Sequence, residues 1–182
     1  SGQPMFERMW IVAGTCMAYM VLFFLNNHLF GSLGFSEGVN WIYLPSGFRL
    51  MFVLIFAEWG ALGVMLASML ISGLMQFDGN VASILGSGFI SGFSPLLARH
   101  VCHNQLGMDL ELRNLSARKL MAVSVVFALT SASMHQVFYT FQGHTHNFMA
   151  STAVMAFGDL VGTVIMLYTA KWVLSKIRHS SL

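Results

Sequence analysis

Charge is what this sequence has least of. Only 9% of its 182 residues are charged, with 9 Lys+Arg and 7 Asp+Glu, where a soluble domain carries about 25%. So few cations exclude a nucleic-acid surface, and so little polarity excludes intrinsic disorder. Two cysteines, Cys16 and Cys102, give no disulfide framework. There is no Walker A loop, no dinucleotide fingerprint and no nucleophile, base and acid at a known spacing. No enzyme is expected, and no cofactor is indicated. What the chain does have is apolar surface: 56% hydrophobic residues and a mean hydropathy of +0.69. These numbers point to an all-α polytopic membrane protein. At roughly 20 residues per span, the length suits one bundle of about six transmembrane helices.

The expected spans are about 9–25, 45–57, 59–75, 81–97, 120–138 and 148–174, in a single transmembrane domain over 1–182. The chain opens on Ser1-Gly2-Gln3-Pro4-Met5, which reads as an expression remnant or a trimmed end. The first apolar run is too long, and too polar at Asn26-Asn27-His28, for a cleaved signal peptide. A Gly/Ser-rich stretch with Glu37 follows. Pro45 suits the first turn of a helix, where its missing N–H costs nothing. The run from Leu44 to Met75 is too long for one span, and Glu58-Trp59-Gly60 divides it. Gln76-Phe77-Asp78-Gly79-Asn80 reads as a turn. The polar stretch Ala98–Lys119, with Asp109, Glu111 and Arg113, reads as an amphipathic helical turn.

The cations are distributed unevenly. With six alternating spans, Arg8, Arg99, Arg113, Arg118, Lys119, Lys171, Lys176 and Arg178 fall on one side. The opposite loops, 26–44, 76–80 and 140–147, contain no Lys or Arg. This is the positive-inside pattern, and it predicts two cytoplasmic termini. Small-residue faces at Gly14-x-x-x-Ala18, Gly88-x-x-x-Gly92 and Gly158-x-x-x-Gly162 suit close helix packing. They serve either this bundle or contact with a second copy or another membrane protein.

Ionisable groups inside a bilayer are costly, so each is a functional candidate. Arg49 and Asp159 are the only opposite charges deep in the expected spans. They read either as a staple of the bundle or as a site for a small anionic ligand, held by Arg49 and tuned by Asp159. Trp41, Tyr43 and His135 are expected to line that outward-facing site. His144 and His146 form a His-x-His in an outer loop, a spacing that can present two imidazoles to a metal or simply occupy the interface.

The stretch Trp41-Ile42-Tyr43-Leu44-Pro45-Ser46-Gly47-Phe48-Arg49-Leu50, then Phe56-Ala57-Glu58-Trp59-Gly60-Ala61-Leu62-Gly63-Val64, resembles the opening of the MASE1 family of bacterial integral membrane sensory domains. Phe157-Gly158-Asp159-Leu160-Val161-Gly162 is similar to that family's Gly-Asp-x-x-Gly helix. The resemblance covers about 41–175. It implies a multi-helix sensor in the bacterial inner membrane. Such domains usually precede a kinase, cyclase or phosphodiesterase domain and are usually longer, so this chain is expected to act through a partner. In size it is also similar to the substrate-binding subunits of energy-coupling-factor vitamin transporters, without a motif of theirs. Three readings follow: a sensing or binding module, a small transporter or transporter subunit, and a non-catalytic accessory subunit of a larger membrane complex.

Overall fold

In lipid every backbone N–H and C=O must find a partner within the protein, so long apolar runs become helices. The computed structural model describes residues 2–36, 39–77, 79–109 and 116–180. Glu37, Asp78, Glu111 and Arg113 lie outside the described residues. Among the described residues five helices, extended by short flanking turns, are long and apolar enough to cross a membrane. They are α1 (Met5–Phe30), α2 (Leu44–Ile71), α3 (Val81–His100), α4 (Ala117–Phe141) and α5 (Phe148–Ser180). Five-residue π-turns, Ser72–Gln76 and Val101–Gln105, finish α2 and α3. Two short antiparallel strands, β1 (Gly34–Ser36) and β2 (Val39–Asn40), occupy the Gly/Ser-rich stretch between α1 and α2.

The second and third expected spans form as the two limbs of α2, joined at Ala57 without a loop. Ala57 has φ 50° and ψ −127°, which no α-helical residue adopts. The chain doubles back there. Ser91 of α3 accepts at its carbonyl from Arg49 and at its hydroxyl from Ser68. In a straight helix residues 49 and 68 would stand about 28 Å apart. Phe48 likewise shares one buried cluster with Val64, Ala67 and Ile71. The limb 44–56 therefore descends and the limb 58–71 returns. A reversal at Ala57 also carries both chain ends to the same end of the bundle. We call that end inner, and the end bearing 31–36, 39–43, 77, 79–80 and 142–147 outer.

The helix starts show why the chain turns where it does. Asn26, still inside α1, accepts the Leu44 N–H at 2.8 Å and donates to the Ile42 carbonyl at 3.2 Å. It thereby anchors the beginning of α2, whose own N-cap, Tyr43, offers no side-chain cap. Asn80 and Ser116 cap α3 and α4 by accepting from Ser83 and Lys119 backbone N–H groups. Pro95 sits inside α3 without ending it. The small-residue faces differ in use. Gly88 and Gly92 receive Met69, Met65 and Ala61 of α2. Gly158 and Gly162 receive not a helix but the carbonyls of Asn40 and Tyr43. The Tyr43 N–H donates to the Gly158 carbonyl at 3.2 Å, stitching the β2–α2 segment to α5. Gly14 has open space around it. Toward the inner end, Leu50, Leu54, Ala98, Cys102, Val123 and Phe127 close the core.

Candidate functional site

Arg49 lies five residues into α2, with only 1% of its side chain exposed. A guanidinium at that depth is tolerated only when its charge and its N–H groups are answered. Four helices answer it. From its own helix, the Ser46 hydroxyl accepts from Nη2 at 3.1 Å. From α3, the Ser91 carbonyl accepts from Nη1 at 3.2 Å. From α4, the Ser131 hydroxyl accepts from Nη2 at 3.3 Å, and the Phe127 ring faces the guanidinium carbon at 5.1 Å. From α5, Asp159 Oδ2 stands 3.7 Å from Nη2.

The ion pair is long for a charge-assisted hydrogen bond, which closes to about 2.7–2.9 Å. Ser46 bridges it: its hydroxyl donates to Asp159 Oδ1 at 2.5 Å while accepting from Arg49. Arg49 Nε and Asp159 Oδ2 have no hydrogen-bond partner among the described residues. The Thr163 hydroxyl donates to the Asp159 carbonyl at 2.6 Å, and so satisfies a carbonyl beside the site.

Above this pair, toward the outer end, α3 and α4 face one another through polar side chains. Ser83, Ser87 and Ser91 recur every fourth residue and so line one face of α3. Ser83 meets His144 Nε2 at 2.8 Å and Gln142 at 3.2 Å. Ser87 meets the Tyr139 hydroxyl at 3.2 Å. Ser91 meets His135 Nε2 at 3.3 Å. His135 Nδ1 lies 2.8 Å from the Ser131 carbonyl, which can only accept. Nδ1 therefore carries the proton and Nε2 accepts from Ser91. Tyr19 of α1 and Tyr43 pair through their hydroxyls at 3.2 Å. Among these groups lies a buried cavity of about 20 Å³, lined by Arg49, His135, Ser91, the three tyrosines and neighbouring serines. That is room for one or two water-sized occupants.

The expected site residues thus separate. Arg49, Asp159 and His135 come together, and Tyr43 joins them on the cavity wall. Trp41 does not. It is 42% exposed and packs edge-on against Phe35 and Phe157 at the outer rim. His144 turns inward onto Ser83 and the Phe77 ring, while His146 is exposed. Among the described residues no three His, Cys, Asp or Glu side chains converge as a metal site would require. Sequence reasoning missed Ser46, Ser91, Ser131, Tyr19 and Tyr139. The four-residue recurrence of serine on α3 was the available signal, and it reads equally as helix packing.

The MASE1 family model matches residues 11–181. No curated protein and no solved structure matches the chain. The matched range takes in all five helices but for the first few residues of α1, and with them the whole Arg49 cluster. The chain belongs to the MASE1 family of membrane-associated sensory domains.

Proposed function

We propose that this chain is a sensing module that receives its signal at the Arg49 cluster and passes it through α5 to a partner. The observation that carries the reading is that one buried side chain holds α2, α3, α4 and α5 together. A ligand can shift a conformational equilibrium only by interacting differently with the two states. A small anionic ligand competing for Arg49 does so against four helices at once. The output element is suggested by α5, whose residues 171–180 remain helical and exposed beyond the bundle. They carry Lys171, Lys176 and Arg178, at the same end of the bundle as Arg118 and Lys119 of α4. The positive-inside rule supports a cytoplasmic orientation of this end, and with it an Arg49 cluster in the outer half of a bacterial inner-membrane protein. No catalytic role is assigned to the chain.

Hydrogen exchange in lipid nanodiscs tests the coupling. Arg49→Lys keeps the charge but cannot reproduce the fork that reaches several helices. Exchange in 169–180 is expected to change with it. Unchanged exchange there, in a folded variant, would leave the cluster a structural staple.

A further inference from the structure

The cavity above Arg49 has hydrogen-bond donors to spare. In the Tyr19–Tyr43 pair one hydroxyl hydrogen is used and one is left over. The same holds for the Ser87–Tyr139 pair. Ser68 donates to Ser91, and Ser91 in turn donates to His135 Nε2, so the imidazole lone pair is used. Arg49 has five N–H groups, and its Nε–H is buried without a partner. Among the described residues no carboxylate and no side-chain amide lines the cavity, and its one formal charge, on Arg49, is positive and paired with Asp159. Asp159 approaches the guanidinium from Nη2, the edge shared with Ser46.

Size narrows the occupant. About 20 Å³ admits nothing much larger than a water molecule or two. Carboxylates with an organic skeleton and phosphate esters exceed it, whereas a chloride ion, about twice the volume of a water-sized sphere, stands near its limit. A line of polar groups also leads from the cavity to the outer rim. Ser83–His144, Ser87–Tyr139 and Ser91–His135 form three successive polar rungs between α3 and α4, from the outer rim down to Arg49. We infer that this cavity is a binding site for one small inorganic monovalent anion of halide size, reached from the outer face along the serine side of α3. The inference rests on the sensing reading and names its ligand class. The leftover hydroxyl hydrogens and the Arg49 Nε–H supply the coordination that water gives the ion in solution. Asp159 keeps Arg49 neutralised when the ion is absent.

The test is thermal unfolding of the purified protein in nanodiscs, in sodium chloride or bromide against sodium gluconate at equal ionic strength. Gluconate is too large for the cavity. At a halide concentration about ten times Kd, Tm is expected to stand ~3–6 °C above the gluconate value. The double variants Ser87→Ala with Tyr139→Phe and Tyr19→Phe with Tyr43→Phe each remove both hydroxyls of a pair, and with them its leftover donor, and each is expected to reduce that difference by half or more. Equal Tm values in chloride and gluconate for the wild type would overturn the site. An undiminished halide effect in both variants would also overturn it, since the ion would then act at the surface. Neither outcome touches the hydrogen-exchange test of Arg49→Lys, so the sensing reading and the ligand class fail separately.

Discussion

Replacing Asp159 with Asn keeps the shape of the side chain and its contact with Ser46, and removes only the charge. Arg49 would then be a buried cation, 1% exposed, answered by hydroxyls and a carbonyl alone. At 3.7 Å two unit charges attract by ~4.5 kcal/mol for an effective dielectric of about 20. Unpairing a buried ion costs ~3–5 kcal/mol when measured. The Ser46, Ser91 and Ser131 oxygens hold part of that back, so the lower half of the range is expected, about 3–4 kcal/mol. For a chain of this size that lowers Tm by roughly 10 °C, at about 2–4 °C per kcal/mol. The assay is unfolding in nanodiscs followed by tryptophan fluorescence. The double variant Arg49→Leu with Asp159→Leu removes both charges, and its loss is expected to fall short of the summed single losses by about 2 kcal/mol or more. If Asp159→Asn stays within about 1 kcal/mol of wild type, or if the two losses simply add, the pair is not what holds α2 to α5.

Other positions give independent checks. Ala57→Gly relieves a left-handed backbone at the reversal of α2 and is expected to stabilise by about 1 kcal/mol, whereas Ala57→Val is expected to destabilise. Gly162→Ala places a methyl group against the Tyr43 carbonyl, so the folded yield from membranes is expected to collapse, with Gly14→Ala, in open space, as the silent comparison. In a background without Cys16 and Cys102, His146→Cys is expected to react with an impermeant maleimide on intact cells, and Ser175→Cys only after the inner face is opened. The opposite pattern would invert the topology. Trp41→Ala is expected to leave the halide effect on Tm unchanged, because the ring sits at the rim and not on the cavity wall.

Much of the architecture is legible in the sequence because lipid leaves few solutions. Apolar runs must be helices, and two opposite charges inside the membrane must find one another. Glu58-Trp59-Gly60 is visible as a breaking point, and the backbone does reverse beside it at Ala57. That the two limbs join with no loop between them is not visible, since nothing in composition distinguishes a sharp reversal from a short loop. The Gly158-x-x-x-Gly162 face shows the limit of motif reasoning. It announces a close approach without saying what approaches, and the partner turns out to be the extended segment 40–43. Ser46 reads as a helix-start residue and is that, yet its hydroxyl also bridges Arg49 and Asp159. Trp41 shares an aromatic stretch with Tyr43, but two residues along an extended chain place their side chains on one side only when the chain is straight. Here Tyr43 turns into α2 and Trp41 stays at the rim.

The central claim is that the Arg49 cluster governs α5. Fluorine NMR of protein labelled with 5-fluorotryptophan reads it without a mutation to introduce the probe, because the four tryptophans fall at separate places. Trp10 is on α1, Trp59 near the α2 reversal, Trp41 at the outer rim and Trp172 on the exposed inner part of α5. Substituting Arg49→Lys is expected to shift or split the Trp172 resonance while Trp10 stays fixed. A Trp172 resonance identical in the two proteins, with Trp41 alone responding, would contradict the account.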